Sequence, residues 1–239
     1  MAVSTLGLSM VFSAMFLWTI SSIGYKKVLG SEGVETRDPI TSLAIRIAIV
    51  AILLMILCAL IGDLHGLFNL DPHIRATYWT FAFFSACLGL CGDICFFFAI
   101  RYLDASRIYP LINCQMLFTY PISFYVFNED LPPLLFPAAL MIIIGVYFLG
   151  IPDSKDRGWD ALPPAIAKRN FRRGIFLGLG TGFFWGMYYL TLAYQNMLWY
   201  GPIESNFSRM MIAGLIIWTC LLITRKHLPK RYTSETRDE

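Results

Sequence analysis

Arg46 and Arg209 each stand six residues inside an apolar run, and Asp93 lies in another, seven residues before its end. A charge at the centre of a membrane helix costs about 2.5 to 3.5 kcal/mol, so such a residue pairs, reaches a water-filled cavity or snorkels to the interface. At 1.5 Å per helical residue, Arg46 and Asp93 fall roughly 9 to 10 Å below the same membrane face, and a pair between them is expected. Such a pair either only fastens two helices or opens when a substrate or proton competes for it. Asn113 and Gln115 lie between Pro110 and Pro121. Each proline frees a backbone carbonyl, so the two amides either line a cavity or bond across to other helices. Trp18 and Trp185, well inside their runs, offer flat surfaces for stacking on a solute or for packing.

Other chemistries fail on a missing partner. Cys87, Cys91 and Cys95 recur at intervals of four and could offer thiolates to a soft metal. No histidine or CxxC accompanies them, and a buried free cysteine behaves as a small hydrophobe. The three histidines, His65, His73 and His227, all lie in polar connections, away from any triad or metal cluster in the apolar runs. Gly89-Leu90-Cys91-Gly92-Asp93 is similar to the GxGD of intramembrane aspartyl proteases, but its spacing differs and a second deep aspartate is missing. A retinal Schiff base would need a lysine in the last apolar run, which has none. The expectation is therefore no enzyme, no metal and no cofactor.

The elements that must hold these residues follow from composition. Of 239 residues, 57% are hydrophobic and only 15% charged, well below the charged share of about 25% in globular proteins. Seven apolar stretches approach or exceed the about 20 helical residues that cross a hydrocarbon core. They run from Leu6 to Tyr25, Ile40 to Ile61, Tyr78 to Ile100, Ala105 to Phe127, Pro133 to Ile151, Gly174 to Trp199 and Ile203 to Ile223. They lack the alternation of a membrane barrel, which leaves an all-α membrane bundle of seven helices. The first stretch has no Lys or Arg before it and Lys26 and Lys27 after it, so it reads as a retained helix and not a signal peptide. A net charge of +3 gives no basic surface for nucleic acid. The six cysteines sit in apolar runs, which is no disulfide framework.

Sixteen of the 19 Lys and Arg fall in the connections after stretches one, three and five or in the C-terminal tail, whereas the opposite face carries only Arg75. The positive-inside rule then places the N-terminus outside and the C-terminus in the cytoplasm, with the plasma membrane as the expected location.

Pro39-Ile40-Thr41-Ser42-Leu43-Ala44-Ile45-Arg46 matches Pro202-Ile203-Glu204-Ser205-Asn206-Phe207-Ser208-Arg209 at Pro, Ile, Ser and Arg. Upstream, Phe16-Leu17-Trp18 corresponds to Phe183-Phe184-Trp185, so stretches one and two recur as six and seven. A repeat of five helices is odd, and its second copy enters the membrane from the other face. Inverted repeats of this kind build secondary transporters, with a site near the midplane. The expected organisation is a first five-helix repeat over 1–152, a connecting loop over 153–173, and the start of a second repeat over 174–239. Within the sixth stretch Gly174, Gly178, Gly182 and Gly186 form a smooth stripe, either for static packing or for a face that slides during transport.

Trp18 with Trp185, Arg46 with Arg209, Ala99-Ile100-Arg101-Tyr102-Leu103-Asp104-Ala105, Asn128-Glu129-Asp130-Leu131 and Gly145-Val146 together resemble the EamA-type proteins of the drug/metabolite transporter superfamily. The resemblance spans nearly the whole chain. It implies ten helices as two five-helix repeats, and a secondary transporter or exporter of small organic solutes with no prosthetic group. Three features depart from that pattern. Pro110 and Pro121 flank the position of the usual fourth-helix proline. The charge count opposes the usual placement of both termini in the cytoplasm. Helices eight to ten are missing. The connection Gly62 to Thr77 and the tail Thr224 to Glu239 are both 16 residues long, so the chain stops where an eighth helix would begin. Truncation of the second repeat is the expectation, and whether the chain transports alone stays open. Expected partners are the bilayer and a small-molecule substrate, with self-association as a further option. The competing function is a seven-helix membrane receptor, for which the inverted copy of two helices would have no use.

Overall fold

The computed structural model of the chain describes residues 9, 12–13, 16–21, 23–25, 38–103, 105–128, 133–149, 164–199 and 201–227. The described residues are overwhelmingly helical and contain no strand. The first helix, α1, is described at 9, 12–13, 16–21 and 23–25. Then come α2 (Pro39–Ile61), α3 (Leu64–Phe68), α4 (Pro72–Tyr102), α5 (Ala105–Asn113), α6 (Gln115–Phe127), α7 (Leu135–Leu149), α8 (Pro164–Trp199) and α9 (Pro202–His227). Lys26, Lys27, Arg37, Asp104, Glu129, Asp130, Leu131, Lys155, Arg157 and the tail beyond 227 lie outside the described residues.

Helix starts follow local chemistry. Proline at the first helical position gives up an N–H that would be orphaned anyway, and it opens α2, α4, α8 and α9. Ahead of α4, Asp71 Oδ1 accepts from the His73 N–H at 2.9 Å. Ahead of α3, Asp63 Oδ1 accepts from the Gly66 N–H at 2.7 Å. At the other end of α6, Asn128 closes the helix in the left-handed region at φ 51°.

Three boundaries differ from the sequence reading. α4 starts at Pro72, six residues before Tyr78, and α8 starts at Pro164, so residues 164–173 of the expected connecting loop are helix. Hydropathy marks where a helix is apolar, not where it ends; Pro164 and the good helix formers Ala165, Ala167, Lys168 and Arg169 carry α8 into the polar zone. The fourth stretch, expected as one helix from Ala105 to Phe127, is two: α5 and α6 meet at Cys114. Proline is not at the break itself. The Cys114 N–H bonds to the Leu111 carbonyl and the Leu117 N–H to the Cys114 carbonyl, at 3.2 and 2.9 Å, so tight i to i−3 bonds replace the α pattern on both sides.

Four helices are long and apolar enough to cross a membrane, over Pro39–Ile61, Pro72–Tyr102, Lys168–Trp199 and Pro202–Thr224, with a shorter apolar helix over Leu135–Val146. Along α2, Ile45, Ile49, Ile52, Leu53, Ile56 and Leu60 are all exposed. An apolar surface of that extent has no place in water and fits hydrocarbon. The architecture is an all-α membrane protein.

The chain divides into two compact units, Met1–Ile40 with Leu88–Leu190, and Thr41–Cys87 with Thr191–Glu239. Each unit holds segments from early and late in the chain. In the first, Trp18 of α1 meets Trp185 of α8, with ring centroids 5.5 Å apart and planes at 76°. In the second, the end of α2 at Gly62 lies against Glu204 of α9, while a Cβ on Gly214 of α9 would lie 3.6 Å from Ile47 Cγ2. The end of one helix meets the start of the other, so α2 and α9 run antiparallel.

Candidate functional site

In the first unit the glycine stripe of α8 faces the break between α5 and α6. A Cβ on Gly182 would lie 2.9 Å from the Ile112 carbonyl oxygen and 3.2 Å from both the Leu111 carbonyl oxygen and the Gln115 amide nitrogen. One on Gly186 would lie 3.2 Å from the Gln115 carbonyl oxygen and from Thr119. Gly178 abuts Leu111, and Gly174 abuts Tyr102 and Leu103. Gly182 and Gly186 thus receive backbone, and Gly174 and Gly178 receive side chains, at distances that only a residue without a side chain allows. Of the two amides, Asn113 is exposed at the end of α5, and Gln115 is half-buried at the start of α6. Gln115 Oε1 is buried and has no hydrogen-bond partner among the described residues. An acceptor in that state carries a desolvation cost of about 1–3 kcal/mol, which a donor from outside the protein would recover.

Beside the stripe, Trp18, Phe96 and Trp185 form an aromatic cluster. The Phe96 centroid is 6.2 Å from Trp18 and 5.4 Å from Trp185. The edge of Trp185 rests directly on Gly92 of α4, where a Cβ would collide with it. Trp185 is buried, whereas Trp18 is 36% exposed and hydrogen-bonds Tyr109. Sequence reasoning left both tryptophans between packing and stacking; within the cluster Trp185 is the buried member and Trp18 the exposed one. Asp93, next to Gly92, is buried and engaged by neighbours.

The second unit holds a sealed polar cluster that the sequence reading did not single out. Tyr78 of α4, Gln195 of α8 and Ser205 and Ser208 of α9 are all fully buried. Gln195 Nε2 donates to Ser208 Oγ at 2.9 Å, and Ser208 Oγ donates to the Ser205 carbonyl at 3.0 Å. The Tyr78 hydroxyl lies 3.3 Å from Ser208 Oγ and 3.5 Å from Ser205 Oγ. Gln195 Oε1 has no partner among the described residues. Arg209 follows in the same helix, buried and engaged; Arg46 on α2 is half-buried and engaged. Arg46 belongs to the second unit and Asp93 to the first. The test applied to Gln115, an amide within an apolar run, would have found Gln195 as well.

Above this cluster Leu67, Leu70, Tyr78 and Phe207 pack as a small core under α3. Arg75, alone on its face by charge count, donates through Nε and Nη2 to the Leu70 carbonyl at 3.2 and 2.8 Å and holds the α3–α4 turn. Glu204, buried in the first turn of α9, accepts the Asp63 N–H at 2.7 Å and ties the end of α2 to α9. Hydrogen bonds to a charged group contribute about 1.5–3 kcal/mol. Glu204→Ala is therefore expected to lower the unfolding temperature in detergent, and Glu204→Gln, which keeps an acceptor oxygen, to lower it less. Equal unfolding temperatures for wild type and Glu204→Ala would rule the tie out as a stabilising contact.

Membrane-length apolar helices, a broken helix facing a glycine stripe and buried amides define an integral membrane protein with polar groups inside its bundle, the build of a channel or carrier. The sequence model of the EamA-like transporter family matches residues 5–151, more than half of the chain. The chain belongs to the EamA-like transporter family, whose members are membrane transporters of small solutes and not enzymes. No curated protein and no solved structure matches the chain.

Proposed function

We propose that the protein is a secondary transporter of a small organic solute, working by alternating access between inversely related halves. The observation that carries this reading is the break at Cys114 set against Gly182 with the unmet Gln115 Oε1 beside it. Broken helices at membrane depth are tolerated where they line a cavity or are covered by protein, and transporters place their substrates at such breaks. The antiparallel run of α2 and α9 supports inverted repeats, the first over 1–152 and the second starting at 174. Asn113, Gln115 and the exposed face of Trp18 are the solute contacts in this reading. Arg46 and Arg209 are equivalent positions in the two repeats, and Asp93 follows Gly92, on which the edge of Trp185 rests.

The test is tracer counterflow in proteoliposomes loaded with a panel of amino acids, nucleosides and organic cations. The wild-type chain should accumulate at least one of them, and Gln115→Leu should abolish the uptake while keeping the unfolding temperature at or above that of wild type, since it removes an unmet acceptor. Folded wild type that moves none of the panel would overturn transport by this chain. A seven-helix receptor has no observation in its favour.

The basic face is assigned to the cytoplasm of the plasma membrane by charge asymmetry. In a cysteine-free background, an impermeant thiol reagent added outside cells should label His73→Cys and spare Lys168→Cys. The reverse pattern would invert the protein.

A further inference from the structure

At the basic end of the first unit, where α4 leaves the membrane and α8 enters it, Phe98, Tyr102, Arg172, Arg173, Phe176 and Leu177 enclose a groove of about 420 Å³. The helices run antiparallel there, since Gly92 meets Trp185 while Tyr102 meets Gly174. The groove is accordingly graded along its length. By register along the two helices, Tyr102, Arg172 and Arg173 stand towards its outer end, and Phe98, Phe176 and Leu177 towards its inner, apolar end. Arg172 and Phe176 stand four residues apart, on one face of α8 and about 6 Å apart along its axis. Both arginines are exposed, as is Phe176 at 77%. Over its whole length α8 contains four basic residues and no acidic one.

We propose that this groove binds one anionic phospholipid from the leaflet on the basic face. The phosphate lies between Arg172 and Arg173, with the Tyr102 hydroxyl as a further donor, and an acyl chain runs inward over Phe98 and Phe176. Paired guanidiniums suit a phosphate better than any single cation does. A basic pocket between helices at the headgroup level recognises net negative charge, which separates phosphatidylglycerol from the zwitterionic phosphatidylcholine. The large exposed ring of Phe176, next to the guanidiniums and deeper in the bilayer, selects a lipid over a water-soluble phosphate. The site is separate from the break at Cys114 and does not depend on the solute carried.

The experiment is native mass spectrometry of the purified full chain in detergent, with phosphatidylglycerol or phosphatidylcholine of identical acyl chains added. Wild type should retain phosphatidylglycerol at least about fivefold better than phosphatidylcholine. Arg172→Gln with Arg173→Gln should bring the two lipids level, whereas Lys168→Gln with Arg169→Gln, on the same helix outside the groove, should keep the preference within about twofold. The single variants Arg172→Gln and Arg173→Gln, each with a reduced preference, carry the test if the double variant does not fold. Glycerol phosphate should not displace the lipid. The proposal is overturned by a wild type without preference, by an equal loss in the Lys168/Arg169 variant, which would mean a diffuse basic belt, or by full displacement with glycerol phosphate, which would mean a site for free anions.

Discussion

Gly182→Leu should abolish the folded protein or its transport, and Gly182→Ala should lower the unfolding temperature clearly, while Gly180→Ala changes little. The contrast comes from what each new Cβ meets. At Gly182 it meets backbone, the Ile112 carbonyl at 2.9 Å and the Leu111 carbonyl and Gln115 N–H at 3.2 Å. Backbone cannot rotate out of the way, so α5 and α6 must move off α8 together. At Gly180 it meets only the Cys95 sulfur at 3.7 Å, an ordinary contact. Overpacking costs about 1–3 kcal/mol in close-packed interiors. In lipid the loss is not offset by a hydrophobic drive, because packing itself holds membrane helices together. The measurement is thermal unfolding in one detergent for the three variants, followed by tracer uptake for those that fold. Equal unfolding temperatures for Gly180→Ala and Gly182→Ala would show that α8 does not receive the break.

The stripe was legible from spacing alone, since glycines at every fourth residue can serve little besides close approach. What it approaches was not legible. The two prolines of the fourth stretch announced loosened backbone, but the break falls at Cys114, four residues after Pro110, where tight i to i−3 bonds take over. Nothing about a cysteine predicts that; it depends on the neighbouring α8 backbone filling the gap. Membrane helices themselves were readable because hydrocarbon imposes a length and a composition on each. Helix ends in water obey no such rule, which is why α8 continues from Gly174 back to Pro164. The prolines of the two matching octets open α2 and α9, as the first helical position favours. The sealed cluster of Tyr78, Gln195, Ser205 and Ser208 was not, because its members are polar groups scattered over three helices and only the fold makes them neighbours. Glu204 escaped notice for a similar reason: the Asp63 N–H that it accepts is 141 residues away.

Gly92 and Trp185 should be strongly coupled, and the coupling separates a packing role from a substrate role for the tryptophans. Trp185→Ala removes a buried ring from the cluster with Trp18 and Phe96, a change that costs about 3–5 kcal/mol in a close-packed core. Gly92→Ala places a methyl group against the edge of that ring, so on its own it should cost about 1–3 kcal/mol. In the Trp185→Ala background the same methyl enters space that the ring has vacated, and its cost should fall to near zero or reverse. A double-mutant cycle read from unfolding temperatures and denaturant midpoints should thus give an interaction energy above about 1 kcal/mol, whereas sites that share no space add within about 0.3–0.5 kcal/mol. Trp18 supplies the complementary measurement. Its ring is 36% exposed and touches Trp185 edge-on, so Trp18→Phe retains most of the packing but loses the indole N–H that reaches Tyr109. If Trp18 contacts the solute, Trp18→Phe changes the half-saturating concentration in counterflow with little change in stability. If it only packs, stability falls and uptake by the folded fraction stays at the wild-type level.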